Sequence, residues 1–141
     1  MSFVQQYEKM LGLMGDMREA LPTIADAYAT LYDTALGTEY QAEPRVLNPK
    51  TKELIALAIA IALRSETDMG VHTFDALRSG ASRQEIMETI GVAILMGGSP
   101  AVLAGCQVCE LMQQFEDELS ASTQQPQPAT EDEEAAILKT A

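Results

Sequence analysis

The decapeptide LIALAIAIAL, residues 54–63, constrains this chain more than any other stretch. Ahead of it, Asn48 suits a helix N-cap and Pro49 the first helical position, while residues 50–64 are good helix formers or apolar side chains. The expectation is a helix. A helix apolar on nearly every face cannot lie on a surface, so it must be surrounded by other helices or by other subunits. Ten apolar residues are also too few to cross a bilayer, which takes about 20. AIAIAL alternates like a strand, but the length, the cap and the alanine content favour the helix.

The composition fits a helical bundle. A chain of 141 residues is one domain's worth and long enough to bury a core. Its apolar residues are mainly Ala, Leu, Ile and Met, aromatics are only 5% and tryptophan is absent. The net charge of -12 repels phosphates and anionic lipid, and no basic cluster interrupts it, so nucleic acid and membrane are not expected partners. The start, MSFVQQYEKM, lacks the basic and apolar regions of a secretory signal, and the expected location is the cytoplasm. Cys106 and Cys109 are too few for a disulfide scaffold.

Before the central helix, Phe3, Tyr7, Met10, Met14, Met17 and Leu21 recur at spacings of four and three, marking one face of an amphipathic helix that Gly12 and Gly15 weaken. Pro22 suits the first turn of a second helix with Ile24, Ala27, Tyr28, Leu31 and Ala35 as its buried stripe and Gly37 as its stop. Residues 38–47 have no sustained period and read as a loop. After the central helix, SETDMGVH opens a helix that carries Val71, Phe74 and Leu77 inward and ends at Gly80 in a left-handed cap. Ser82 with Glu85 makes a capping box for the next helix, IMETIGVAILMG, which is mostly apolar and expected to be buried. Gly97 and Gly98 end it, and Ser99 and Pro100 start the last helix. The reading is an all-α domain of about six helices over residues 1–120, followed by an acidic, Pro- and Gln-rich tail over residues 121–141 that cannot bury enough apolar surface to order itself.

Glu53, Ser65, Asp68 and His72 are the candidate catalytic residues. Asp68 and His72, four apart, share a helical face, and a carboxylate touching an imidazole orients it as a general base. Glu53 on the preceding helix reaches the same point if the two helices run antiparallel. The plainer alternative is a surface ion pair contributing a few tenths of a kcal/mol. Cys106 and Cys109 form a CxxC well inside the last helix, away from the N-terminal amides that stabilise a thiolate; they read as small buried hydrophobes or, failing that, as a redox pair. Two cysteines and one histidine do not close a zinc tetrahedron, and no phosphate-binding glycine loop is present, so neither metal nor cofactor is expected.

The run from Leu47 to Leu111 resembles the carboxymuconolactone decarboxylase family, and within it the small alkyl hydroperoxidase D-like proteins. The resemblance rests on the KELIALA helix, on His72 followed eight residues later by Gly-Ala-Ser, on the RQEIMETIGVA helix, and on the turn at Gly97, Gly98 and Pro100. It implies an all-helical fold assembled into homotrimers or homohexamers. In the hydroperoxidase-like members a glutamate, a CxxC pair and a downstream histidine form a proton relay in which one thiolate reduces peroxide and the second resolves it as a disulfide. Glu53 falls on the glutamate and His72 on the histidine, but Ser65 and Asp68 occupy the cysteine positions. Neither side chain can cycle through sulfenic acid and disulfide.

Three functions follow as expectations. By family label the chain is an antioxidant, hydroperoxide-reducing oxidoreductase of peroxiredoxin type, which here would need Cys106 and Cys109 beside His72. The decarboxylase members instead resemble it in having a carboxylate four residues before the histidine, which implies an acid-base decarboxylase or lactone-processing enzyme using Asp68, His72 and Glu53 on a small-molecule substrate. The third is an oligomeric protein that kept the fold and lost the chemistry.

Overall fold

The structure is a computed structural model and describes residues 3–37 and 46–123. Among these residues six helices and no strands occur: α1 (Phe3–Ala20), α2 (Pro22–Leu36), α3 (Pro49–Leu63), α4 (Glu66–Arg78), α5 (Arg83–Gly97) and α6 (Ser99–Thr123). The all-helical architecture matches the expectation. α6 runs three residues into the segment read as tail, to Thr123; the rest of the expected tail and residues 38–45 lie outside the described residues.

The helix ends follow local chemistry. The Asn48 side chain accepts the Thr51 N–H at 2.8 Å and Pro49 occupies the first helical position. Ser82 and Glu85 close a reciprocal capping box at the start of α5. Gly37 ends α2 at φ 80° and Gly80 follows α4 at φ 85°, both in the left-handed region. The turn from α3 into α4 is different, since Arg64 itself takes φ 58°, and its N–H and that of Ser65 bond back to α3 carbonyls. That turn folds α4 against α3.

α3 packs against α4 on one side and α5 on another, and α6 closes the bundle. Leu57, Ile61, Met69, Ile86, Val108 and Met112 form the centre of the core, with Phe115 against Phe74 at 5.1 Å between ring centroids. Gly97 and Gly105 permit the close approaches: a Cβ at Gly105 would lie 2.7 Å from Ile90 Cγ2, and one at Gly97 would lie 3.3 Å from the backbone of Ala62.

Two expectations about burial are corrected. The apolar stripe of α2 is not buried: Ile24, Tyr28 and Leu31 are exposed, Leu31 at 65%, and α2 holds no fully buried residue. Met14, Met17 and Leu21 of the α1 stripe are likewise exposed. The reason is topological, because α1 and α2 pack mainly on each other at the edge of the four-helix body. α5 also turns one apolar face outward, with Leu95 81% and Met96 78% exposed, next in sequence to an α6 that exposes Leu103 at 74%. The central helix is covered mainly by α4 and α5, with α6 and α2 touching it as well, and Ile55, Ile59 and Leu63 face outward. Val71, Phe74 and Leu77 of α4 are half-buried, while Met69, Gly70, Thr73 and Ala76 point fully inward.

Candidate active site

Glu53 lies in the second turn of α3 and His72 in the second turn of α4, and the hairpin between these helices brings the two side chains together. His72 Nδ1 sits 2.8 Å from Glu53 Oε2, with the Glu53 side chain only 3% exposed and that of His72 12%. A carboxylate only accepts, so the neutral ring facing it carries its proton on Nδ1 and donates it to Glu53. Nε2 is left with its lone pair and, among the described residues, no protein partner. The ring of Tyr32, from α2, lies nearly parallel to the imidazole at 11° and 6.4 Å between centroids, and limits how far it can swing.

The expected contact between Asp68 and His72 is replaced by two others. Asp68 accepts the Ser65 hydroxyl at 2.6 Å, and His72 takes its carboxylate from α3. The cause is local. Ser65 is the N-cap residue of α4, but its side chain makes no capping bond to the backbone and turns instead to the carboxylate three residues on. Asp68 and Glu66 in that first turn also favour the helix N-terminus electrostatically.

His72 and Asp68 still share a wall. A cavity of about 260 Å³ is lined by Thr67, Asp68, Val71, His72 and Asp75 of α4, and on the facing side by Met10, Leu11 and Met14 of α1 with Tyr28 and Tyr32 of α2. Asp68, Val71, His72 and Asp75 stand at i, i+3, i+4 and i+7 on one stripe of α4, which is why one helix supplies half of the lining. Asp75 was not among the sequence candidates, although its place on that stripe was readable. Burial pushes its carboxyl above the ordinary value of 3.8, the charge of Glu53 adds to the effect, and Arg78 and His72 oppose it. The two tyrosines and Met10 were missed as site residues because nothing short of tertiary packing sets α1 and α2 opposite α4.

The cysteines stand elsewhere. Both are free thiols on α6, and neither lines the cavity. Cys106 is exposed, contrary to the expectation of a small buried hydrophobe, while Cys109 is half-buried against the core and donates to Met87 Sδ at 3.7 Å. The geometry therefore assembles Glu53 with His72, and Ser65 with Asp68, and leaves Cys106 and Cys109 off the cavity.

Comparison with known proteins bears on the same stretch of chain. Residues 22–111, from the start of α2 through the middle of α6, match the model of the carboxymuconolactone decarboxylase family. The chain belongs to this family. A carboxymuconolactone decarboxylase family protein from Legionella pneumophila superposes with a TM-score of 0.72 at 27% identity, over 80% of this chain and 96% of that one. A family member from Thermotoga maritima, whose name carries the suggestion of a role in antioxidative response, superposes with a TM-score of 0.70 at 20% identity over 85% of this chain and 94% of that one, a likeness of fold. An uncharacterised protein of Cupriavidus necator is 38% identical over 52 residues, 37% of this chain, and the match spans 46% of that protein's length, about half. The family match begins at Pro22, so it takes in the helix that stacks Tyr32 on His72 but not α1.

Among the described residues no group of three or more His, Cys, Asp or Glu side chains is placed to hold a metal ion, and no helix is long and apolar enough to cross a membrane.

Proposed function

We propose that this carboxymuconolactone decarboxylase family protein is an acid-base enzyme of the decarboxylase or lactone-processing kind, in which His72 moves a proton to or from a small molecule held in the cavity. One observation carries the reading: the 2.8 Å contact between Glu53 and His72 at a cavity wall that contains no thiol. Glu53 positions the ring and keeps the proton on Nδ1, Nε2 is the base, and the resulting imidazolium returns the proton as the acid. Tyr32 holds the ring plane. Asp68 lies on the same wall as a further carboxylate, oriented by Ser65.

The test is proton exchange at the carbon beside the carbonyl of unsaturated lactones in D₂O, followed by NMR. His72→Ala is expected to lower the exchange rate by about 10²–10⁴-fold, the usual contribution of a positioned general base, while Cys106→Ser and Cys109→Ser leave it unchanged. Exchange that survives His72→Ala would sink this reading.

A second reading, hydroperoxide reduction, is favoured by the exposure of Cys106 three residues before Cys109 on one helix. In that chemistry a thiolate attacks the peroxide to give an alcohol and a sulfenic acid, the second thiol condenses with it to a disulfide and water, and an external dithiol restores both thiols. Peroxide consumption lost in both cysteine variants and retained in His72→Ala would select it. Under either reading the outward apolar faces of α3, α5 and α6 are proposed to meet further copies of the chain in a homotrimer or homohexamer. Light scattering that gives a monomer mass would refute the assembly.

A further inference from the structure

Away from the cavity, where α5 packs on α6, three sulfur atoms gather. Cys109 donates to Met87 Sδ at 3.7 Å, and Cys106 stands three residues before Cys109 on α6. Side chains three apart on a helix are neighbours, with Cβ atoms about 5–6 Å from each other, so both thiols reach one spot on the surface. The packing of the two helices fixes the third donor. A Cβ at Gly105 would lie 2.7 Å from Ile90 Cγ2, so the helices approach closely at that level. Met87 lies one turn from it toward the start of α5, and Cys109 one turn from it toward the end of α6. Spacing along the chain supplies two thiols; only the contact between helices adds the thioether, and rigid elements hold all three.

The separation suits a shared ion. Two sulfur ligands of one metal, at bonds of about 2.3 Å and tetrahedral or trigonal angles, lie about 3.7–4.0 Å apart, and Cys109 Sγ and Met87 Sδ lie at 3.7 Å. The thiol proton directed at Met87 is what a metal replaces. The donors also select the ion. Thiolate and thioether together are soft ligands, which favour copper(I). Structural zinc takes four N, O or S donors, and among the described residues no third His, Cys, Asp or Glu is placed to share a metal with the two cysteines. Cys106 is exposed and Met87 is 41% exposed, so an ion reaches the sulfurs with no opening of the fold.

We infer that Cys106, Cys109 and Met87 form a surface site for one copper(I) ion, held by two thiolates and a neutral thioether with release of the two thiol protons. None of the three side chains lines the cavity, and binding involves no turnover, so the site stands or falls apart from either reading of the reaction.

The experiment titrates copper(I) into the full chain, under ascorbate and without oxygen, in competition with a colorimetric copper(I) chelator, and repeats the titration with zinc. Wild type is expected to take one copper per chain and to hold it about a hundredfold or more tighter than the double variant Cys106→Ser with Cys109→Ser, while Met87→Leu weakens it by about tenfold. X-ray absorption at the copper edge should count three sulfur neighbours in wild type and two in Met87→Leu. Circular dichroism checks that each variant keeps its helices, and Cys109→Ala replaces Cys109→Ser at this half-buried position if the serine unfolds the chain. Copper held no better by wild type than by the double variant overturns the inference. So does one ion shared by two chains, a wild-type copper with only two sulfur neighbours, an affinity that Met87→Leu leaves unchanged, or zinc held as tightly as copper.

Discussion

Removing Glu53 tests the site and the fold at once, because its carboxylate is buried and its hydrogen-bond partner is the only histidine of the chain. A hydrogen bond involving a charged group contributes about 1.5–3 kcal/mol net. With side-chain exposures of 3% and 12% the pair is little screened, so Glu53→Ala should cost about 2–3 kcal/mol, reduced by whatever the carboxylate no longer spends on desolvation. His72→Leu should be worse, about 3–5 kcal/mol, because it strands a buried charge. The combined Glu53→Met and His72→Leu variant removes both polar partners and should be more stable than His72→Leu alone, by at least about 2 kcal/mol. Urea denaturation of wild type, Glu53→Met, His72→Leu and the double variant closes the cycle. The ¹⁵N spectrum of the single imidazole is the second readout: wild type should show a protonated Nδ1 and an unprotonated Nε2, and Glu53→Gln should shift the proton toward Nε2 when its amide N–H₂ faces the ring. A double variant no more stable than His72→Leu, or a wild-type ring protonated on Nε2 alone, would refute the argument that Glu53 holds His72.

The pH dependence of stability should show two opposing contributions. Asp75 is raised above 3.8 by burial and by Glu53, so the folded state binds more protons than the unfolded one; its contribution is full below 3.8 and is lost as pH rises through the folded value, and Asp75→Asn should flatten that loss in urea titrations. Glu85 is lowered from 4.5 to about 2 by Lys50 and by the Ser82 backbone and hydroxyl, so its contribution is present above 4.5 and fades as pH falls toward 2; Glu85→Gln should weaken the fold at neutral pH and remove that acid-side slope. Glycine replacements should divide by position. Gly12→Ala has open space on α1 and should stabilise by about 0.5–1 kcal/mol, whereas Gly105→Ala meets the stiff β-branched side chain of Ile90 at 2.7 Å and should cost about 1–3 kcal/mol, both read as thermal midpoints.

The errors of the sequence reading cluster where an interaction crosses between helices. Spacing alone put Asp68 on the same face as His72, and the structure agrees: both lie on the stripe that lines the cavity. Spacing could not say which carboxylate the imidazole would take. That choice was made by the α3–α4 hairpin, which delivers Glu53 to Nδ1, and by Ser65, which holds Asp68. Glu53 was legible on the condition that the two helices run antiparallel, and through the family resemblance. The stripes of α1 and α2 were correctly periodic and incorrectly placed, since amphipathicity tells which face seeks an apolar surface but not whether one chain provides it.

What the sequence determined by itself was local: the cap at Asn48, the capping box at Ser82 and Glu85, the left-handed glycines at 37 and 80, and an all-helical chain centred on LIALAIAIAL. These depend on backbone chemistry within four residues, which periodicity and propensity record directly. The tertiary structure alone decided that Tyr32 stacks on His72, that α1 and α2 face the α4 stripe across the cavity, that the thiols of α6 stand apart from it, and that α1, α2, α3, α5 and α6 leave apolar side chains exposed. These are contacts between residues far apart in the chain, and they arise from which helix faces fit together at close packing, a property of the whole bundle that no single stretch encodes.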